Sequence, residues 1–239
     1  MYKRVLLKLS GEALGLKEPD SIIDVDSLDS ICERIKALHD EGVEIAVVIG
    51  AGNIWRGKLA ERIGVERVSA DYMGMLGTVI NAVAMASALK RYNVESVVYS
   101  AIPEIQGVTI AYNADKVKKD LSLGKVCFLA GGTGKPFFTT DTAATMRAIE
   151  TECDAILMAK NGVKGVYDKD PNVYKDARFI PEITYKKMRE MNLLIMDQSA
   201  IELIENTDIQ ILVFSMQDLD NFHKAARGIN VGTICKKGE

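Results

Sequence analysis

Six short apolar runs recur along this chain, at Val5 to Leu9, Val43 to Ile49, Val94 to Tyr99, Val126 to Ala130, Ala155 to Ala159 and Ile209 to Phe214, with helical patterns between them. A strand covered on both faces needs apolar side chains at nearly every position, and parallel strands are joined by crossovers that are usually helices. The alternation therefore predicts an α/β chain: a three-layer α/β/α sandwich around a mostly parallel central sheet. No linker rich in Pro, Gly or Ser and no internal repeat divides the 239 residues, so a single domain over 1–239 is expected.

Between the first two runs, Leu28, Ile31, Ile35 and Leu38 lie at helical spacing, with Asp26 or Ser27 as the expected N-cap and Gly42 just past the end. The segment Asp71 to Arg91, rich in Ala, Met and Val, predicts a helix with one closely packed face (Val79, Val83, Ala86), after which Asn93 leads into the next strand. Further helical patterns run from Ala114 to Leu121, Thr142 to Glu152, Tyr185 to Met191 and Gln198 to Glu205. Asp197, opening the last of these, reads as a cap rather than a catalyst. The stretch Asn161 to Pro181 is the longest irregular piece and reads as a surface ligand loop.

Composition excludes several classes. The net charge is −3 and the basic residues are dispersed, which argues against a nucleic-acid binder. The four cysteines are far apart and the two histidines stand alone, so neither a zinc site nor a disulfide framework is expected. No uninterrupted run approaches the ~18 apolar residues of a membrane span, and no apolar signal core opens the chain. A reducing cytoplasm and no membrane partner are the expectation.

Chemistry is concentrated in the loops that follow the apolar runs. Gly131-Gly132-Thr133-Gly134-Lys135-Pro136-Phe137-Phe138-Thr139-Thr140-Asp141 combines backbone freedom, hydroxyl and ammonium donors and two aromatics, a composition suited to holding a ligand. Lys8-Leu9-Ser10-Gly11 ends the first run and could set an ammonium and backbone N–H groups against a phosphate, although a solvated strand end would look the same. Gly50-Ala51-Gly52-Asn53-Ile54-Trp55-Arg56-Gly57 permits close backbone approach to an anion, with Arg56 as a bidentate clamp. It is not a dinucleotide fingerprint, because Trp55 stands at the third glycine position and Asp71 does not end a second strand. Trp55 reads as a core or interface anchor. Nor is Gly134-Lys135 a Walker A loop, since Pro136 follows where Ser or Thr is required. Asn161-Gly162-Val163-Lys164-Gly165-Val166-Tyr167-Asp168-Lys169-Asp170-Pro171 offers an amide, an aromatic and carboxylates to a purine and ribose, or else is a charged turn. Together these loops suggest phosphoryl transfer between two anionic ligands.

These residues resemble the bacterial uridylate (UMP) kinases of the amino-acid kinase superfamily over essentially the whole chain. The resemblance is carried by Lys8-Leu9-Ser10-Gly11-Glu12-Ala13-Leu14, by Val48 to Asn53 with Arg56-Gly57, by Asp71 with Met73-Gly74-Met75, by Ser100-Ala101-Ile102-Pro103, by Thr133 to Thr140 and by Met196-Asp197. It implies the amino-acid kinase-like fold, with an N-terminal part mainly binding UMP and a C-terminal part mainly binding ATP. It implies the reaction of ATP with UMP to give ADP and UDP, with Mg²⁺ as cofactor, in pyrimidine nucleotide biosynthesis. Lys8, Arg56 and Asp141 would be catalytic. ATP would meet Lys8, Leu9, Ser10, Gly11, Gly52, Arg56, Asn161, Tyr167 and Asp170. UMP would meet Ala51, Asp71, Thr133, Gly134, Lys135, Pro136, Phe137, Phe138, Thr139 and Thr140, with Asp71 on the ribose and the threonine loop on uracil. The same resemblance implies a homohexamer, inhibited by UTP and with GTP as effector. The alternatives are an acetylglutamate or carbamate kinase-like enzyme, against which Asp71 and the 133–140 loop speak, or a nucleotide-binding sensor without turnover.

Three departures from the family pattern stand out. Ala51 replaces the middle of a usual triple glycine and requires a negative φ, Lys135 stands where the uracil loop usually has Asn, and Gly15 to Asp20 is poorer in glycine than the segment linked to GTP activation.

Overall fold

A computed structural model describes residues 1–15, 21–160, 162–193, 195–218 and 220–238. In chain order the elements are β1 (Arg4–Leu9), α1 (Val25–Asp40), β2 (Glu44–Ile49), α2 (Gly57–Ile63), α3 (Arg67–Leu89), β3 (Ser96–Ser100), β4 (Ile110–Ala111), α4 (Ala114–Ser122), β5 (Val126–Ala130), α5 (Thr140–Glu150), β6 (Ala155–Lys160), β7 (Val166–Tyr167), β8 (Phe179–Ile180), β9 (Glu182–Thr184), α6 (Tyr185–Glu190), α7 (Gln198–Ile204), β10 (Gln210–Ser215), α8 (Asn221–Ala226) and β11 (Thr233–Lys236). All six apolar runs are strands. They form one sheet of order β4-β3-β5-β2-β1-β6-β10-β11-β9. Every pairing in it is parallel except that of β10 with β11.

The strand period of two sorts the side chains between two cores. Val5, Leu7 and Leu9 of β1 join α1, α3 and α8 on one face. Leu6 of the same strand joins α4, α5, α6 and α7 on the other. Burial is complete at Leu6 and Leu7, each contributing about 1.5–3 kcal/mol by removal from water. The result is the expected α/β/α sandwich.

Several boundaries differ from the sequence reading. The N-cap of α1 is Asp24, whose carboxylate accepts from the Ser27 N–H at 2.8 Å. The helix thus begins before Asp26 and Ser27, with Val25 exposed in a first turn that carries no core periodicity. For the same reason α3 begins at Arg67 rather than near Asp71, since its first turns face outward and its continuous buried face starts deeper. With its 3₁₀ extension it spans Arg67–Tyr92 and is long and apolar enough to cross a membrane by length and composition, which no uninterrupted apolar run had signalled. More than half of its apolar 18-residue stretch is buried within the fold, and the helix packs on β3 and β5. The irregular 161–181 stretch contains an antiparallel hairpin of β7 and β8.

The sheet order also explains where a site belongs. From β1 the chain leads to β2, β3 and β5 on one side, and only afterwards crosses back to place β6 and β10 on the other. The crevice at the carboxyl ends of β1 and β6 is therefore the switch point at which open α/β sheets bind ligands.

Candidate active site

Lys8 shares a sheet face with Leu6, the face that α5 covers. Asp141 lies in the first turn of that helix, and its Oδ1 is 2.5 Å from Lys8 Nζ. Both side chains are largely buried, at 11% and 17% exposure, so each charge depends on the other for its solvation. Lys8 pairs in register with Met158 of β6, and Lys160 lies two residues farther along that strand, on the same face. Burial, and then the neighbouring Lys8 charge, lower the pKa of Lys160 against the opposing pull of Asp141. Its ammonium donates to the Ile195 carbonyl at 2.9 Å. Two cations and one carboxylate thus meet at the switch point, where an entering anion would favour Lys160 in its charged form.

A cleft opens on either side. One, of about 330 Å³, is lined by Ala51, Gly52, Trp55, Arg67, Asp71, Met75, Thr78, Gly132, Thr133, Lys135, Phe138, Thr139 and Thr140 among others. The other, of about 320 Å³, is lined by Lys160, Val163, Val166, Tyr167, Asp168, Asp170, Leu193 and Ile195 among others. Thr140, next to Asp141 in the chain, borders the first and Lys160 borders the second, so the charged cluster lies between them.

The phosphate-type loops are pressed together. A Cβ on Gly11 would stand 2.5 Å from the Gly50 carbonyl oxygen and the Gly52 nitrogen, which leaves room for glycine alone. Ser10 caps the 3₁₀ turn Gly11–Ala13, and Leu9 is fully buried, so only its backbone can face a ligand. Ala51 is absent from the described non-glycine residues of positive φ, which satisfies the condition its methyl imposes. Arg56 stands apart from the Lys8–Asp141 pair: its guanidinium reaches Glu12 at 3.0 Å and the Gly52 carbonyl at 3.1 Å, and it is exposed.

Helix α3 fastens both loops of the first cleft. Fully buried Asn81 donates to the Gly50 carbonyl at 2.8 Å and exchanges hydrogen bonds with Asn53. One turn earlier, the Thr78 hydroxyl accepts from the Gly131 N–H at 2.8 Å. Arg147, 4% exposed, donates to the Gly132 carbonyl and stacks over Tyr112, its Cζ 3.8 Å from the ring centroid. None of these three residues was singled out from sequence, nor was Lys160. A lysine ending a buried strand, as Lys8 does, was the available signal for Lys160; Asn81 and Arg147 offered only a polar residue within a helical apolar pattern.

Within the threonine loop the residues divide. Gly134, with φ +78°, approaches Ala101, where a Cβ would meet the carbonyl oxygen at 2.5 Å. The Thr133 hydroxyl closes on the Lys135 backbone. The Thr139 hydroxyl accepts from the Asp141 and Thr142 N–H groups and donates to the Asp197 carboxylate, which uses its full hydrogen-bonding capacity. Gly134, Pro136 and Phe137 do not line the cleft, whereas Thr133, Lys135, Phe138, Thr139 and Thr140 do. Asp197 caps α7 through the Ala200 N–H and also accepts from Thr142 and Ser199. Burial raises its pKa, but these hydrogen bonds outweigh that effect and hold the carboxyl below its ordinary range. In the second cleft Tyr167 and Asp170 are lining residues; Asn161 lies outside the described residues.

The profile of the amino acid kinase family matches residues 3–215. This chain belongs to the amino acid kinase family. Within that family it is similar to the uridylate kinase of Mycoplasma capricolum subsp. capricolum, 47% identical over 234 residues that cover 98% of each chain. The uridylate kinase of Mycoplasmopsis pulmonis is 43% identical over 95% of this chain and 94% of its own. Among solved structures, UMP kinase from Bacillus anthracis superposes with a TM-score of 0.95 at 37% identity, covering all of this chain and 97% of that one. UMP kinase from Ureaplasma parvum does so with a TM-score of 0.92, also at 37% identity, over 99% and 100%.

Proposed function

We propose that this chain is a uridylate kinase, transferring the γ-phosphoryl group of ATP to UMP in pyrimidine nucleotide biosynthesis. The observation that carries the reading is the Lys8–Asp141–Lys160 cluster between two clefts, one bearing Asp71 and the threonine loop, the other Tyr167 and Asp170. An oxygen of the UMP phosphate attacks Pγ, the bond from Pγ to the bridging oxygen breaks, and its electron pair stays on the β-phosphate of ADP. The acceptor is already an anion, so the protein supplies alignment and charge neutralisation rather than a strong base. Lys8 and Lys160 face the negative charge, Asp141 orients Lys8, and the packed Gly11 and Gly50–Gly52 backbones bring N–H groups close. Arg56 enters from the loop rim, exchanging Glu12 for phosphate.

Among the described residues, no group of three or more His, Cys, Asp or Glu is placed to hold a metal ion. Asp141 at the junction fits a magnesium ion carried by phosphate oxygens, the usual way such an ion is bound in kinases. When bound, magnesium adds charge neutralisation on the transferring group.

The reading extends to one domain over 1–239, with the 51–140 cleft for UMP and the 160–195 cleft for ATP. It also includes a homohexamer, UTP as inhibitor, GTP as effector and a cytoplasmic setting. An exposed apolar stripe on α3 (Val68, Tyr72, Leu76, Ile80) supports self-association, and four buried free cysteines suit a reducing compartment. A coupled assay of ADP release tests the substrate assignment: turnover with UMP, much less with CMP and none with acetylglutamate is expected. Equal rates on CMP and UMP would overturn the base pocket.

A further inference from the structure

Asp71, the carboxylate assigned to the ribose, is already held from two directions. Arg67 Nε lies 2.9 Å from its Oδ1 and 3.0 Å from its Oδ2, and the Phe137 backbone N–H donates to Oδ2 at 2.8 Å. The Arg67 guanidinium also lies over the Phe137 ring, 5.7 Å from its centroid. Phe137 itself has φ +72°, a left-handed conformation that a bulky residue adopts only when its surroundings impose it.

Helix stability does not account for Arg67. A cation in the first turn opposes the helix dipole, and a basic residue four positions before an acid is the weaker order of such a pair. What the arrangement does accomplish is to join the first turns of α3 to the threonine loop. A carboxylate has about four acceptor positions, and the contacts here leave Oδ1 able to take a hydroxyl.

We infer that Arg67 is a positioning residue for nucleotide selectivity, making Asp71 and Phe137 one unit so that the ribose and the base are read together. This rests on the uridylate kinase reading. Arg67 fixes the carboxylate plane, the carboxylate fixes the Phe137 backbone, and the Phe137 conformation sets how the loop from Thr133 to Thr140 presents itself to the base.

The test compares kcat/KM for UMP, dUMP and CMP in the full-length wild type, Arg67→Met, Arg67→Lys and Arg67→Met with Phe137→Gly. Loss of a group that orients a hydrogen-bonding site relaxes discrimination by about 10-fold, so Arg67→Met should lower both the UMP:dUMP and the UMP:CMP ratios by that order while the KM for ATP stays within about two-fold. Arg67→Lys, which keeps the charge but not the planar contact with carboxylate and ring, should fall between Met and wild type. It also carries the test if the Met variant fails to fold. Glycine adopts the left-handed conformation freely, so Phe137→Gly should recover part of the UMP:CMP ratio lost in Arg67→Met. Unchanged ratios with a uniformly raised KM for all three nucleotides would assign Arg67 to the phosphate and overturn the inference. A wild type that does not discriminate among the three, or does not phosphorylate UMP, would instead overturn the functional reading on which it rests.

Discussion

The two clefts of this protein are built by opposite means. The first is an edge-to-edge assembly of glycine loops, each bolted to helix α3 or α5 by a buried polar side chain: Asn81 to Gly50, Thr78 to Gly131, Arg147 to Gly132. The second is an apolar slot of Val163, Val166, Leu193, Ile195 and Val213 under a short hairpin, with fewer fixed polar groups. Its frame is held from behind, where the Thr233 hydroxyl accepts from the Val166 N–H and donates to the Ile180 carbonyl. Buried hydrogen bonds fix geometry because an unpaired partner is costly, whereas apolar walls accept any surface of suitable shape. The first cleft is thus suited to reading a small ligand by its polar edges, the second to gripping a flat ring and leaving the discrimination to its rim.

That contrast can be broken at graded points. The largest effect is expected where the clefts meet: Lys8→Ala or Asp141→Asn should lower kcat by ~10²-fold or more, since each removes or misdirects charge that serves the transition state. Steady-state kinetics on a variant whose circular dichroism matches wild type checks it, and near-normal kcat would remove both from the mechanism. Gly11→Ala comes next. Its methyl has no space against the Gly50 and Gly52 backbones, so at least a ~10-fold loss of kcat/KM for both substrates is expected, a misplacement of loops being enough for such losses. If only one substrate were affected, the two loops would not act together.

Asn81→Ala tests the bolted cleft on its own terms. It strands the buried Gly50 carbonyl and removes one partner of half-buried Asn53, so urea denaturation should show a loss of about 1–3 kcal/mol, and the KM for UMP should rise more than that for ATP. The converse substitution, Tyr167→Leu, keeps an apolar wall and should raise the KM for ATP only a few-fold with the KM for UMP unmoved. A larger effect at Tyr167 than at Asn81 would reverse the comparison.

The smallest effect concerns Asp197, which ties the end of the threonine loop to α7. Its pKa is lower folded than unfolded, so its contribution to stability is fully present above the ordinary aspartate value of about 4 and is lost as pH falls through the folded value. Urea midpoints measured from pH 6 down to pH 3 should therefore fall more steeply for wild type than for Asp197→Asn. Parallel slopes would show that the Thr139 and Thr142 bonds do not favour the charged carboxylate.

Much of this was legible in the chain itself. Six strands could be read because buried parallel strands carry unbroken apolar runs, and the ligand loops because three glycines with threonines and phenylalanines have no use in a solvated turn. The short strands β4, β7, β8, β9 and β11 were not, since two to four residues give no period to read. Asn81, Thr78 and Arg147 were hidden for a different reason: a polar residue in a helix looks the same whether it faces water or the backbone of a loop distant in the chain.

Local sequence by itself determined the layer architecture and the loops able to approach phosphate, and it marked Lys8, Arg56 and Asp141 as candidates, because hydrophobic periodicity and glycine content act over a few residues. Only the tertiary structure decided that β6 lies beside β1 and so brings Lys160 to Lys8, that Arg56 rests on Glu12, and that Asp71 is held by Arg67 and Phe137. The order of strands in a sheet is set by how crossovers pack on its two faces, and that is a property of the whole core rather than of any segment.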